Sequence, residues 1–139
     1  MDCILSLDVG TKTIGMARGS AGTGLAAPLL TLSRRSVRQD SARIAEICRE
    51  QGATCIVVGL PLQLDGVEGR SARLARQVGD AVAALLDIEL HYHDERFSTV
   101  EAERRLREAG RSWSRRKELI DAAAAAVILE DWLRGRVAN

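Results

Sequence analysis

Three carboxylates stand where strands and helices could bring them together. Asp8 closes the run Leu5-Ser6-Leu7-Asp8-Val9-Gly10, Glu95 follows a strand-like stretch at 88–93, and Asp121 stands just ahead of five alanines at 122–126. A buried carboxylate costs several kcal/mol unless a positive charge neutralises it. Three that converge repel one another, so a divalent cation is the natural occupant of the site they would form. Oxygen donors suit hard ions such as Mg²⁺ or Mn²⁺, one or two of them. Ions of that kind orient an attacking water and stabilise a leaving oxygen during in-line displacement at phosphorus. The chemistry to expect is metal-dependent hydrolysis of a phosphodiester.

The elements that must position these acids follow from patterning. Residues 3–8 read as a strand, a Gly10-Thr11-Lys12-Thr13 turn leads back into a second strand near 14–18, and 25–32 reads as a third. Pro28 interrupts that third strand and is best tolerated at an edge or bulge. A helix starts at Ser36, whose spacing to Gln39 suits a capping box, and stops at Gly52. Val37, Ser41, Ile44 and Cys48 mark its inner face. The continuous apolar run Cys55-Ile56-Val57-Val58-Gly59-Leu60 suits a strand covered on both faces. A helix over 70–86 carries a stripe of Leu74, Val78, Ala81, Val82 and Leu85, and a strand follows at 88–93. Ser98-Thr99-Val100-Glu101 opens a helix that ends at Gly110, and a last helix runs over 116–134. Early hairpins followed by alternating strand and helix imply an α/β fold, a mixed five-stranded sheet flanked by helices. Ligands in such sheets bind beyond the carboxyl ends of strands, where Asp8 and Glu95 fall.

At 139 residues the chain reads as one domain with a core of its own. Its 46% hydrophobic and 28% charged content is that of an ordinary soluble protein, and no run has the length of a membrane span. Three cysteines, Cys3, Cys48 and Cys55, match neither a disulfide framework nor zinc spacing and read as small buried hydrophobes in a reducing cytoplasm. The basic residues include only two lysines, Lys12 and Lys117, and arginine suits bidentate phosphate contacts.

Each motif has a plainer reading beside the chemical one. Asp8-Val9-Gly10-Thr11-Lys12 offers a rigid acid, a backbone that phosphate can approach and a cation to face it; it also reads as an ordinary hairpin turn. The loop 59–69 stands where active-site walls form, or is only a connector. His91 and His93 alternate onto one face, but no further histidine or suitable cysteine completes a zinc site. Of Asp94 and Glu95, which point apart, Glu95 is the one expected to join the cluster. Asp121 shares a helical face with Ala124, Ala125, Ile128 and Trp132, and an acid on that face needs a reason; the alternative is a first-turn acid complementing the helix dipole. Arg104, Arg105, Arg107, Arg111, Arg115, Arg116 and Lys117 face a single acid, Glu108, within 104–117, a surplus that attracts a polyanion or merely solvates a helix. Trp113, in the expected loop, could stack on a base.

Taken together, Asp8-Val9-Gly10-Thr11-Lys12 with Gly15, Val57-Val58-Gly59-Leu60-Pro61-Leu62, Asp94-Glu95-Arg96-Phe97-Ser98-Thr99-Val100-Glu101-Ala102 and Ile120-Asp121-Ala122-Ala123-Ala124 resemble the YqgF (RuvX) family, relatives of the RuvC Holliday-junction resolvases. The resemblance runs in order from about residue 4 to residue 133. It implies a ribonuclease-H-like fold in a single domain over 1–139, in a cytoplasmic bacterial protein. The implied activity is a nuclease that matures the 5′ end of pre-16S rRNA in ribosome biogenesis. The family's acids map onto Asp8, Glu95 and Asp121 as catalytic and metal-holding residues, and Lys117 matches a basic position. Lys12, Arg96, Arg115, Arg116 and Lys117 are the residues expected to hold phosphates. Gln63 stands where the family often has Asn, and Leu119 where a second Lys often occurs.

Rival readings stay open. Cleavage of branched DNA is the nearest, and would suit a homodimer acting symmetrically, although no dimerisation seam is evident. The Asp-x-Gly-Thr turn also resembles the phosphate loop of sugar kinases and actin-like ATPases, which need two lobes where this length supplies one. A non-catalytic domain binding RNA or ribosomal particles is the third.

Overall fold

The computed structural model describes residues 2–63, 66–95, 98–108 and 113–137, with backbone only at 98–100, 106, 113–119, 136 and 137. Nine elements follow in the expected order: β1 (Cys3–Val9), β2 (Thr13–Gly19), β3 (Ala26–Ser33), α1 (Val37–Gln51), β4 (Ala53–Leu60), α2 (Arg70–Leu86), β5 (Glu89–Asp94), α3 (Ser98–Glu108) and α4 (Trp113–Val137). The strands form one sheet in the order β3-β2-β1-β4-β5. The first three are antiparallel, and β4 and β5 add in parallel through crossover helices. Pro28 lies on edge strand β3, next to an irregularity where Met16 pairs Leu30 but Ala17 pairs Pro28.

Alternation along the strands divides the core into two layers. Leu5, Leu7, Ile14, Met16, Ile56 and Val58 pack with Ile44 of α1 and Val78 of α2. Ile4, Cys55 and Val57 face the other way, against Ile128, Leu129 and Leu133 of α4. Helix α1 begins as its sequence demands, with Ser36 Oγ accepting from Gln39 N–H at 3.1 Å, and ends on left-handed Gly52. Two expected faces need correction. Asp40 is buried on α1. On α2 the inner residues are Ala72, Ala75, Val78, Gly79 and Val82, leaving Leu85 51% exposed. Small residues line that face because bulky neighbours reach in from the sheet, the Tyr92 hydroxyl lying 2.7 Å from where a Gly79 Cβ would stand.

Helix α4 begins at Trp113, so Trp113 belongs to a helix rather than a loop, and its side chain lies outside the described set. From Ala122 to Leu129 every residue is buried, where sequence alone suggests one apolar stripe. The helix is enclosed because α3 covers its outer side through Ala102, Ala123, Ala124 and Val127, while Ala125 and Ala126 meet Ala17 of the sheet. Ser6, buried on β1, donates Oγ–H to the carbonyl of Ala125 at 2.7 Å. The closest approach is at Gly15, where a Cβ would stand 2.0 Å from the Asp121 carbonyl oxygen. Because backbone cannot yield as a flexible side chain does, Gly15→Ala is expected to destabilise the protein by about 3 kcal/mol or more, read from urea unfolding midpoints.

Candidate active site

The expected acids come together. Asp8 lies near the end of β1, on the face that carries Ile4 and Ser6, and pairs across the hairpin with Gly15. Since α4 rests its Asp121 peptide directly on Gly15, the Asp121 carboxylate is delivered beside Asp8. Glu95 arrives from the other side. It follows β5 in the same alternation as Glu89, His91 and His93, and its N–H donates to the Leu60 carbonyl at the end of β4 at 3.3 Å. Its side chain crosses Gly59, where a Cβ would stand 2.9 Å from Glu95 Cγ and 2.6 Å from Ile128 Cδ1. Asp94, on the opposite alternation, is exposed and pairs in register with Leu60, as expected of the acid left outside the cluster.

Electrostatics report the convergence directly. Burial, with the charges of Glu95 and Asp121 adding to it, pushes the Asp8 carboxyl up to about 8. A carboxyl held protonated by two neighbouring acids is a group waiting for a cation, and three oxygen donors on one wall fit a hard divalent ion.

Two supports were not anticipated. The Thr13 hydroxyl donates to Asp121 Oδ2, tying α4 to β2. Thr13 stands two residues before Gly15, so strand alternation alone places both on the face of Asp8. The second is an ion pair. Asp40, with no exposed side-chain surface, accepts from Arg34 Nε at 2.6 Å and from Arg35 N at 3.1 Å. Arg34 in turn holds the site's turn, donating from Nη1 to Gly10 O at 3.0 Å and from its backbone N to Lys12 O at 2.8 Å. Lys12 is left exposed at the tip of that clamped turn.

Comparison with known proteins now places the chain. A family model described as RuvX, Holliday junction resolvase, matches residues 2–135. The chain belongs to the RuvX family. A Cereibacter sphaeroides protein named "Putative pre-16S rRNA nuclease" is 44% identical over 142 residues, spanning 98% of this chain and 88% of that one. A Myxococcus xanthus protein of the same name is 46% identical over 130 residues, spanning 93% and 85%. Among solved structures, Thermus thermophilus RuvC in complex with a Holliday junction superposes with a TM-score of 0.61 at 16% identity, covering 99% of this chain and 96% of that one. The Fowlpox virus resolvase with its junction DNA gives 0.62 at 8% identity, covering 97% and 99%. At such low identity these two speak to the fold, and this RuvX chain has the ribonuclease-H-like sheet of the resolvases.

The basic residues divide. In α3, Arg104 pairs with Glu101 at 2.5 Å and with Glu108 at 2.5 Å, while Arg105 pairs with Glu101 and with Glu130 of α4, each at 3.2 Å. Hydrogen bonds from Arg104 and Arg105 pull the Glu101 carboxyl down to about 2. These two arginines take part in a helix-surface ladder, which suits the reading of this part of the run as a solvated helix face. Arg96 lies outside the described residues, and Arg115, Arg116 and Lys117 are described only as backbone in the first turns of α4. Gly110, where α3 was expected to end, also lies outside; the last described residue of α3 is Glu108.

Two outcomes follow. Because native Asp8 keeps a proton that the unfolded chain gives up near pH 3.8, metal-free wild type should lose stability as pH rises from about 4 to about 8. Asp8→Asn lacks that loss, so its melting temperature should exceed wild type's by several degrees at pH 8 in EDTA, the gap closing toward pH 4. Asp40→Ala strands a buried guanidinium and should cost about 3–5 kcal/mol in denaturant unfolding.

Proposed function

We propose that this protein is a divalent-metal-dependent endonuclease acting on pre-16S rRNA during ribosome biogenesis in the cytoplasm. One observation carries the reading: Asp8, Glu95 and Asp121 meet on one face of the sheet, at the carboxyl ends of its parallel strands, and burial together with Glu95 and Asp121 keeps Asp8 protonated without a cation. The substrate assignment is supported by the name its close relatives carry.

In this reading Asp8, Glu95 and Asp121 hold one or two Mg²⁺ or Mn²⁺ ions. Such ions, when bound, activate a water for attack and stabilise the leaving oxygen of the phosphodiester. Thr13 fixes the orientation of the Asp121 carboxylate through its hydroxyl. The Arg34–Asp40 pair keeps the 10–13 turn in place, so that the exposed Lys12 on it is available to meet a phosphate. Arg96, Arg115, Arg116 and Lys117 hold flanking phosphates of the same strand. The protein works on ribosomal precursor particles, as a monomer or a homodimer.

A second reading, resolution of branched DNA, is favoured by the description of the family model itself. One assay separates the two. Labelled pre-16S RNA and a four-way DNA junction are incubated with Mg²⁺, Mn²⁺ or EDTA, with Asp8→Asn and Asp121→Asn run in parallel. The expected result is metal-dependent cleavage of the RNA that falls by at least about 10²-fold in either variant. Junction cleavage alone would transfer the assignment to resolvase. Binding of RNA without cleavage, unaffected by Asp8→Asn, would remove the catalytic reading altogether.

A further inference from the structure

The face that carries the acids has a second end. Strands β4 and β5 are in parallel register with Cys55 opposite Glu89 and Val57 opposite His91, so Cys55, Glu89 and His91 share the α4 side of the sheet. Candidate donor atoms from the three, the Cys55 Sγ, a Glu89 carboxylate oxygen and a His91 ring nitrogen, all lie within 4.8 Å of one another. His91 Nε2 already stands 3.4 Å from Glu89 Oε2, and the imidazole lies against the indole of Trp132 with ring centroids 5.1 Å apart. A cavity of about 310 Å³ opens onto the same place, walled by Cys55, Glu89, Trp132 and Asp2.

We propose that Cys55, Glu89 and His91 form a second cation site, for a borderline-soft divalent ion of the zinc class. The donor chemistry decides the ion. A thiolate and an imidazole are poor partners for Mg²⁺ and good ones for Zn²⁺, which takes sulfur at about 2.3 Å and nitrogen or oxygen at about 2.0–2.2 Å. Ligands at those distances around one tetrahedral ion lie roughly 3.3–3.8 Å apart, so the three donors, now within 4.8 Å of one another, would draw in by about an ångström to bind it. The fourth position faces the cavity, where a water or the Asp2 carboxylate can complete the shell. His93 takes no part, because its Nε2 is engaged with Asp131 Oδ2 at 2.5 Å. The pairing of His91 with His93 suggested by alternation is therefore replaced by His91 with Cys55, a residue otherwise read only as a small core hydrophobe.

This site is separate from the acidic cluster. The eleven residue steps of α4 from Asp121 to Trp132 rise roughly 16 Å, and the helix spans the sheet between the two. An ion held there would lock the start of β5 to β4 beneath Trp132. It would act on the stability of the sheet edge whose far end delivers Glu95.

Titration of the full-length protein with Co²⁺, followed by competition with Zn²⁺, reads the site without recourse to nuclease activity. The expected result is one equivalent of Co²⁺ giving a thiolate-to-cobalt charge-transfer band in wild type and equally in Asp8→Asn and Asp121→Asn. Zinc should displace it and raise the melting temperature by about 5 °C at saturating concentration. Cys55→Ala should abolish the band. His91→Gln, a substitution at a partly exposed position with little bearing on folding, should weaken Zn²⁺ binding by about 10- to 100-fold. No thiolate band in wild type, a band that persists in Cys55→Ala, or zinc affinity lost in Asp8→Asn but unchanged in His91→Gln would each overturn the assignment.

Discussion

The structure depends on how closely α4 lies on the sheet. A helix packed on strands through ordinary side chains sits about 10 Å above them, too far for a short Asp side chain on the helix to reach one on a strand. Here glycine and alanine reduce that distance. Gly15 removes the one Cβ that would meet the Asp121 peptide, and Ala17 with Ala125 and Ala126 continues the close seam inward. The Ser6 hydroxyl then hydrogen-bonds the Ala125 carbonyl, so the helix is fixed against sliding as well as lifting. Once that approach is set, Asp121 has no choice but to stand over the Asp8–Gly15 pair. The α3 layer follows from the same seam, since a helix of alanines has little apolar area on any one face and gains stability by being enclosed on all of them.

That seam works against electrostatics, and the rest of the site manages the conflict. Burial of Asp8, with the charges of Glu95 and Asp121 adding to it, raises its carboxyl to about 8, a cost the fold bears in the absence of a cation. The compensations lie around the triad. Thr13 gives Asp121 a donor, the β4 terminus gives Glu95 a backbone anchor, and the buried Arg34–Asp40 pair holds the adjoining turn from beneath. Arg34 is an economical choice for this last task, since one guanidinium satisfies a carboxylate and a backbone carbonyl together. Strain of charge is concentrated at the three acids and relieved everywhere next to them, the pattern expected of a site prepared for an ion.

Much of this was legible in the residues, and what was not has a physical reason. Strands appeared where apolar runs are bounded by turn residues, and α1 where Ser36 and Gly52 mark its ends. The order of elements was enough to place Asp8 and Glu95 at strand ends. The inner face of α2 was misplaced because periodicity weighs Leu85 above Ala75 and Gly79, whereas a tight approach to Tyr92 favours the small residues. Burial of Asp40 was hidden because its partner Arg34 precedes the helix, and nothing in a helical pattern separates a paired buried acid from a solvated one. Full enclosure of α4 was hidden for a similar reason, alanine being equally at home on either side of a helix. Arg104 and Arg105 looked available because a count within 104–117 omits Glu101 and Glu130, one just before the segment and one on another helix.

The chemistry at the two ends of the α4 face is a further consequence of register. Every second residue of β5 turns toward α4, so Glu89, His91, His93 and Glu95 form one row along it. What each member meets is set by the facing residue of β4 and by the helix above. At the carboxyl end the row runs past Gly59 toward the carboxylates of Asp8 and Asp121. At the amino end it meets Cys55 and the ring of Trp132, a region of sulfur and aromatic surface. Between them His93 is taken up by Asp131, a solvent-facing pair that separates the two environments. Adjacent strands thus present carboxylates alone at one end of this face and a thiol, an imidazole and a carboxylate at the other, donor sets that suit ions of different character.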